Sequence, residues 1–478
     1  MKSISNYKVL WLAVLVATFV SCKKSFLEIN PPTSVAPEEA LKTESDLQVA
    51  LRGMYAGLRT GMSIGTTSYA ADAFGRTIPV IGDVMSDNAY QTTPNGNRYT
   101  AYNGYTFIAS DANALGLWGS LYLVILRANN IINADVATSD NVKQYKGEAY
   151  AVRALCYFTL VRYYARPYTD DPGKLGVPIV TVYDANSKPT RNKISEVYTL
   201  IQNDLTQAYT LMTKFTNSSQ FSKYAAQALL AKVYLNMGDM DNAKTAALDV
   251  INSGPFKLVG AADYVSYWAD PGIRTDKLET LFEVSSDAVS NLGTDALAYL
   301  YSQAGGYGDF FVSDTLYNLF GTNDVRKGLY PKGTRQGGAT GYFINKYPAI
   351  SNDRSDTKVL RLSDVYLIAA EASAGTNETD ARSYVNAVTS RRGANAIVST
   401  GTDLYNDIII ERRKELAFEG DRYPDLQRLK RDLVRNANYP ATARSIPYSN
   451  FRRVLPIPQT EIDANPNIKS QQNDGYQP

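Results

Sequence analysis

From Leu115 to Ile251 apolar residues return at the helical interval in one segment after another, a rhythm that restricts the chain to helix packed on helix. In Tyr145–Tyr164, Ala151, Ala154, Leu155 and Phe158 stand at i, i+3, i+4 and i+7, and in Lys223–Met237 the same spacing is kept by Leu230, Val233, Tyr234 and Met237. Leu115–Asn133, Ile194–Leu211 and Asp241–Ile251 complete this run, with Gly238-Asp239 as a tight connection. Small residues at Ala225, Ala226, Ala228 and Ala231 allow neighbouring axes to approach closely. Outside the run, helices are expected at Asp46–Arg59, with Asp46 as the cap, and at Arg361–Ala374, Thr379–Arg392 and Leu404–Glu419.

The helices come in pairs of tetratricopeptide type, although not at the strict period of about 34 residues. Two stretches interrupt them. Residues 60–111 and roughly 255–350 are rich in Gly, Ser, Asn and Tyr and read as long ordered loops, with a short strand expected at Leu281–Val284. Loops of such length in a compact domain are functional or disordered. The first holds Tyr69, Phe74, Tyr90, Tyr99, Tyr102 and Tyr105; the second holds Trp268, Tyr299, Tyr301, Tyr307, Phe310 and Phe311. With 35 tyrosines against 3 tryptophans, rings are the residue type in surplus. A flat ring can cover the apolar face of a sugar while Asp, Asn and Arg side chains bond its hydroxyls. The same rings can equally cover helices.

The chain begins with Lys2 and Lys8, an apolar run Val9–Val20 and Ser21-Cys22. That order describes an export signal over residues 1–21, too short to span a bilayer comfortably, with Cys22 placed to become an acylated first residue. A secreted chain with a free Cys22 and a retained anchor are the alternatives. Residues 22–37, with Pro31, Pro32 and Pro37, read as a tether.

The 49 basic and 47 acidic residues give no support to nucleic-acid binding, and removing Lys2 and Lys8 leaves 47 of each. That balance is compatible with an uncharged ligand. The absence of histidine excludes histidine-based triads and histidine-containing metal sites, and two cysteines exclude a disulfide framework or zinc cluster. Cys156, between Leu155 and Tyr157, reads as an inert buried thiol. Oxygen-rich turns could hold calcium, but no segment has EF-hand spacing; no cofactor is expected. Carboxylate pairs such as Asp83/Asp87 and Asp170/Asp171 do not supply the spacing of a glycosidase by being neighbours in sequence. In DIIIERRKELAFEGDRYPDLQRLKR (407–431), Arg413 and Arg422 could form an anion site, but interlaced charges and apolar residues favour a half-buried ion-pair network.

Several phrases together resemble the SusD/RagB family of outer-membrane nutrient-binding lipoproteins. They are FLEINPPT after Cys22, SDNAY at 86–90, LWGSLYLVILRANNII at 117–132, RLSDVYLIAAEA at 361–372, IIIERRKELAFEGDRYPDLQRLKR at 408–431 and LPIPQTEIDANPN at 455–467. The ending, Gln472-Asn473-Asp474-Gly475-Tyr476, keeps the outline of the family's closing phrase without its proline. The resemblance implies a mostly α SusD-like fold: tetratricopeptide-like helix pairs carrying long irregular ligand-facing loops. The expected division is an N-terminal region, 38–250, and a C-terminal region, 251–478, packed into the same body.

The family further implies a protein that is not an enzyme. It would be anchored to the outer membrane through Cys22, face the exterior and act as a lid on a SusC-like TonB-dependent transporter, handing it oligosaccharide. Peptide capture for the same kind of transporter and a purely scaffolding role are the alternatives. By location, the expected ligand residues are Tyr90, Trp268, Tyr299, Tyr301 and Tyr307, with Asp87, Asn88 and Arg76 as polar partners.

Overall fold

A computed structural model describes residues 40–477 except 61, 65, 66, 70, 71, 185, 352 and 353. The export signal, Cys22 and the tether lie outside the described residues, as does the side chain of Tyr69. Helices of three turns or more are numbered here. The first, α1 (Glu44–Arg59), begins two residues before the expected start. Thr43 is its cap, and Asp46 closes a capping box from inside the first turn. Leu47, Leu51, Met54 and Leu58 fall on one buried face.

The helical run follows as α2 (Ala112–Asn133), α3 (Asp140–Tyr164), α4 (Ile194–Leu211), α5 (Lys223–Met237) and α6 (Met240–Ser253). Side-chain caps fix three of these starts, two of them (Ala112 and Asp140) ahead of where apolar spacing places them. Asp111 accepts from the amides of Asn113 and Ala114, Ser139 from Val142 and Ser222 from Ala225. Each of these helices packs on the next, and α6 packs on α7 (Leu362–Ser373), which is followed by α8 (Glu378–Arg391) and α9 (Gly401–Glu415). The buried alanines of α5 leave room for these close contacts. A buried fork joins three helices: Arg153 of α3 donates Nε and Nη2 to Asp204 of α4, both at 2.7 Å, and Nη1 to Asn129 of α2 at 2.8 Å. α2 is apolar and long enough to cross a membrane, but its inward face lies in this helical core.

The first interruption is not all loop. Ala73–Thr77 forms a π-helical turn running into the helix Ile78–Val84, and every residue of both is buried. This apolar segment passes through the core, so the surface-loop reading holds only for what flanks it. Gly82 lets it touch the chain after α9: an added Cβ would lie 2.3 Å from the Gly420 carbonyl oxygen. α9 ends at Glu415, short of the expected Glu419, because Phe418 and Gly420 adopt φ of 66° and 89°.

Short antiparallel strands follow: β1 (Met62–Ile64) pairs with β2 (Thr67–Tyr69), and the later ones tie distant segments together. β3 (Ala89–Gln91) pairs with β5 (Phe310–Val312), matching Tyr90 with Phe311 and bringing the two interruptions side by side. The strand expected at Leu281–Val284 is β4 (Thr280–Val284), paired with β8 (Thr357–Arg361). The hairpin of β6 (Lys332–Thr334) and β7 (Thr340–Tyr342) lies beside β5. One continuous hydrophobic core contains residues from Leu47 to Ile468.

Candidate functional site

The charged segment 407–431 forms the buried ion-pair network. Arg361, fully buried, meets Glu279, Glu415 and Glu419; Arg392 shares Glu279 and Glu415; Arg326 meets Asp324, Glu411 and Glu415. Burial alone would raise the Glu415 carboxyl, but Arg392 and Arg361 hold it well below the usual carboxylate range.

The same network absorbs residues expected at the ligand. Asp87 pairs with Arg422 at 2.7 Å and Arg413 at 3.2 Å, and these guanidiniums outweigh its desolvation and hold its pKa low. Asn88 is fully buried, donating to Asp83 at 2.7 Å and accepting from Arg413 Nε at 2.8 Å. Asp83 is itself buried, and desolvation lifts it to about 6. Arg76 lies inside, held by Asp72 at 3.1 Å and Asp295 at 2.6 Å.

Two expected rings are also core. Trp268 is buried among Lys346, Lys358 and Arg361, whose charged groups stand 4.2–5.2 Å from the ring centre. Tyr301 is fully buried, edge-on to Phe310 and Phe418. Trp268 and Tyr301 therefore present no open ring face, and Asn88, Arg76 and Asp87 have their polar groups engaged by protein partners.

The structure keeps Tyr90, Tyr299 and Tyr307 half-buried at the surface. Tyr299 and Tyr307 stand together, 6.0 Å between ring centres, while Tyr90 packs edge-on against Phe311 and Tyr439. Tyr299 is steadied by its Oη, which donates to the Ile350 carbonyl at 2.9 Å. Tyr307 borders an open cleft of about 230 Å³ with Gln303, Gly306, Gly308, Thr334, Arg335 and Gln336. Behind it Asp309, fully buried, binds Arg98 at 3.0 Å and Arg335 at 3.3 Å. Arg98 also lies over the Tyr307 ring, 4.0 Å from its centre. A further ring pair, Tyr317 on Tyr342 at 3.5 Å, lies at the end of β7.

Sequence reading missed Arg98, Gln303, Asp309, Arg335, Tyr317 and Tyr342. The signal available was an isolated arginine among tyrosines, as in NGNRYTAY; its partner Asp309 is 211 positions away. A larger cleft of about 550 Å³ lies where the C-terminal segment closes on the end of α3. Its arginines are tied into backbone: Arg191 donates to the carbonyls of Tyr164, Leu175, Gly176 and Gln471, and Arg166 to those of Tyr448 and Asn450. That cleft is a seam of the fold, whereas the smaller one presents side chains with polar atoms still available. Cys156 is buried, and desolvation raises its thiol, which keeps it unreactive. No acidic or thiol cluster among the described residues is arranged to hold a metal ion.

A rigid scaffold of helix pairs with an aromatic and polar cleft on its loops defines a ligand-binding protein. Its family follows from comparison. Residues 25–235 match a family described as starch-binding and associating with the outer membrane, and residues 325–476 match the SusD family. SusD-like protein P2 of Formosa agariphila is 30% identical across 98% of this chain and the whole of that protein. A SusD superfamily protein of Bacteroides thetaiotaomicron has a similar structure, with TM-score 0.80, 30% identity and coverage of 90% of this chain and 99% of its own. One from Bacteroides vulgatus gives TM-score 0.81 at 28% identity, covering 91% and 100%. The chain belongs to the SusD/RagB family. Proteins of this family are non-catalytic and outer-membrane-associated; carbohydrate binding and partnership with SusC-type transporters are general among them, and this chain is not an enzyme.

Proposed function

We propose that this protein captures oligosaccharide outside the cell, in the cleft beside Tyr307, and passes it to a SusC-like TonB-dependent transporter while anchored to the outer membrane through acylated Cys22. The observation that carries the reading is the Tyr299–Tyr307 pair, of which Tyr307 borders an open cleft lined by Gln303, Thr334, Arg335 and Gln336. Ring edges and faces supply apolar area, and the amides and hydroxyl can meet sugar hydroxyls. Tyr90 extends the same loop face through the β3–β5 pairing. Family membership supplies the transporter as partner and supports the membrane location.

Calorimetric titration of the purified protein with oligosaccharides of several classes tests the ligand. Tyr307→Ala is expected to weaken binding roughly tenfold or more with an unchanged melting temperature. In cells, Cys22→Ala is expected to release the protein from the membrane fraction while leaving oligosaccharide affinity intact. Binding of peptides and of no saccharide would replace the ligand class. Normal uptake by cells carrying Tyr307→Ala would instead point to scaffolding.

A further inference from the structure

Among the described residues, three guanidiniums and a single carboxylate surround the paired tyrosines. Arg98 lies 4.0 Å from the centre of Tyr307, Tyr307 is 6.0 Å from Tyr299, and Arg354 lies 5.8 Å from the centre of Tyr299. The order is guanidinium, ring, ring, guanidinium. Arg335 closes the side, donating Nε to the Tyr307 carbonyl at 2.7 Å and Nη2 to Asp309 at 3.3 Å. Asp309 also takes Arg98, so one carboxylate serves two cations. Among the described residues Arg354 has no ion-pair partner, and its Nε and Nη1 are buried without a hydrogen bond. Three positive charges thus face one negative charge.

This departs from the ion-pair network around Glu415. Arg361 and Arg326 each meet three carboxylates, and Arg392 and Arg412 each meet at least two. Arg98, by contrast, keeps a side chain 34% exposed beside the cleft. The buried network balances its cations with carboxylates, and buried Arg191, Arg435 and Arg453 spend their donors on backbone carbonyls or an amide; here positive charge is left at the surface, on aromatic rings. A guanidinium so oriented presents its donors as a fork that fits carboxylate and sulfate oxygens, and its pre-ordering lowers the entropy lost on binding.

We propose that the cleft selects acidic oligosaccharides, with negative groups of the chain, uronic carboxylates or sulfate esters, docking on the exposed edge of Arg98 and drawn by the positive charge of half-buried Arg354. Gln303, Thr334 and Gln336 meet the neutral hydroxyls between them. This rests on the glycan-capture reading and narrows its substrate class. The balanced total charge of the exported chain does not oppose it, because recognition responds to local potential rather than to the sum.

The test is calorimetric titration of the full protein with uronate oligosaccharides, sulfated oligosaccharides, the carboxyl-reduced form of the same uronate chains, and poly-glutamate, each at low and high salt. At least one acidic glycan is expected to bind roughly tenfold or more tightly than its uncharged counterpart, and to weaken as salt screens the contact. Uronate and sulfate arms separate the two sources of charge. Arg354→Gln should weaken the acidic glycan while leaving the melting temperature unchanged; Arg98→Gln should weaken it too, with a lower melting temperature because buried Asp309 then keeps Arg335 alone, and Arg98→Lys should restore part of both losses. Equal binding of charged and carboxyl-reduced chains, unaffected by the arginine substitutions but lost in Tyr307→Ala, overturns the acidic selectivity and leaves glycan capture standing. Binding of poly-glutamate without any glycan overturns both, and failure of both acidic glycans to bind overturns this proposal.

Discussion

Asp87 receives Arg422 and Arg413 inside the protein, and its charge is what allows two guanidiniums to be buried beside it. Replacing it with alanine leaves those cations facing each other without compensation. Asp87→Ala is expected to destabilise the fold by about 3–5 kcal/mol, read as a fall in urea midpoint, because breaking a buried pair exposes the full desolvation cost of the partner. Oligosaccharide affinity of the fraction that remains folded should stay within about twofold, since Asp87 lies in the network rather than in the cleft. A loss of binding with unchanged stability would return Asp87 to the ligand site. At this scale the sequence was least informative. Trp268 and Tyr301 look like Tyr299 and Tyr307 when read as residue types, yet the first two are buried and the second two are at the surface.

At the scale of elements, α3 carries a different kind of buried charge. Glu148 is 2% exposed and accepts from Tyr55 of α1 at 2.8 Å and from Gln144 at 3.0 Å. Burial lifts its carboxyl from 4.5 to about 7, against the lowering effect of those hydrogen bonds. The folded state therefore retains a proton that the unfolded chain releases near pH 4.5. Its stabilising share is complete below that pH and is lost as pH rises towards 7. Glu148→Gln, neutral throughout, should flatten this part of the curve. Between about pH 5 and about pH 8 the parent should lose more stability than the variant, by up to about 3 kcal/mol in urea unfolding. Asp83 contributes a decline of the same sign in both proteins, so the difference between their curves is the readout. Parallel curves would remove Glu148 as the cause.

The long helices were the most legible part of the molecule. Ile194–Leu211 and Lys223–Met237 have the limits that apolar spacing indicates, because one buried face sets both. Where spacing was weaker, polar caps decided: Thr43, Asp111 and Ser139 start their helices ahead of the first apolar repeat. The buried helix Ile78–Val84 was hidden because it is short and apolar nearly throughout, which gives no periodic contrast.

At the scale of the whole molecule, the expected regions 38–250 and 251–478 are joined by more than the chain. Phe221 stacks on Phe282 with 4.1 Å between ring centres, and Lys232 of α5 pairs with Asp364 at 3.0 Å and Asp421 at 2.7 Å. The Leu455 amide donates to the Tyr163 carbonyl at 2.8 Å. Fragments cut after residue 250 should each lack a cooperative thermal transition, while the intact protein unfolds in one, as calorimetry would record. Two independent transitions from the separated pieces would mean that these contacts join domains rather than complete a single core.

The order of helices, their pairing and the family to which the chain belongs could be read from the sequence, since each depends on spacing within about a dozen neighbouring residues or on contiguous phrases. The cleft depended on contacts no local pattern contains. β3 meets β5 across more than two hundred residues, Arg98 reaches Asp309, and Glu415 gathers arginines from three other segments. Which tyrosines remain at the surface and which arginines remain short of carboxylate are decided by burial and by charge pairing. Both are properties of packed distance, so tertiary structure alone settles them.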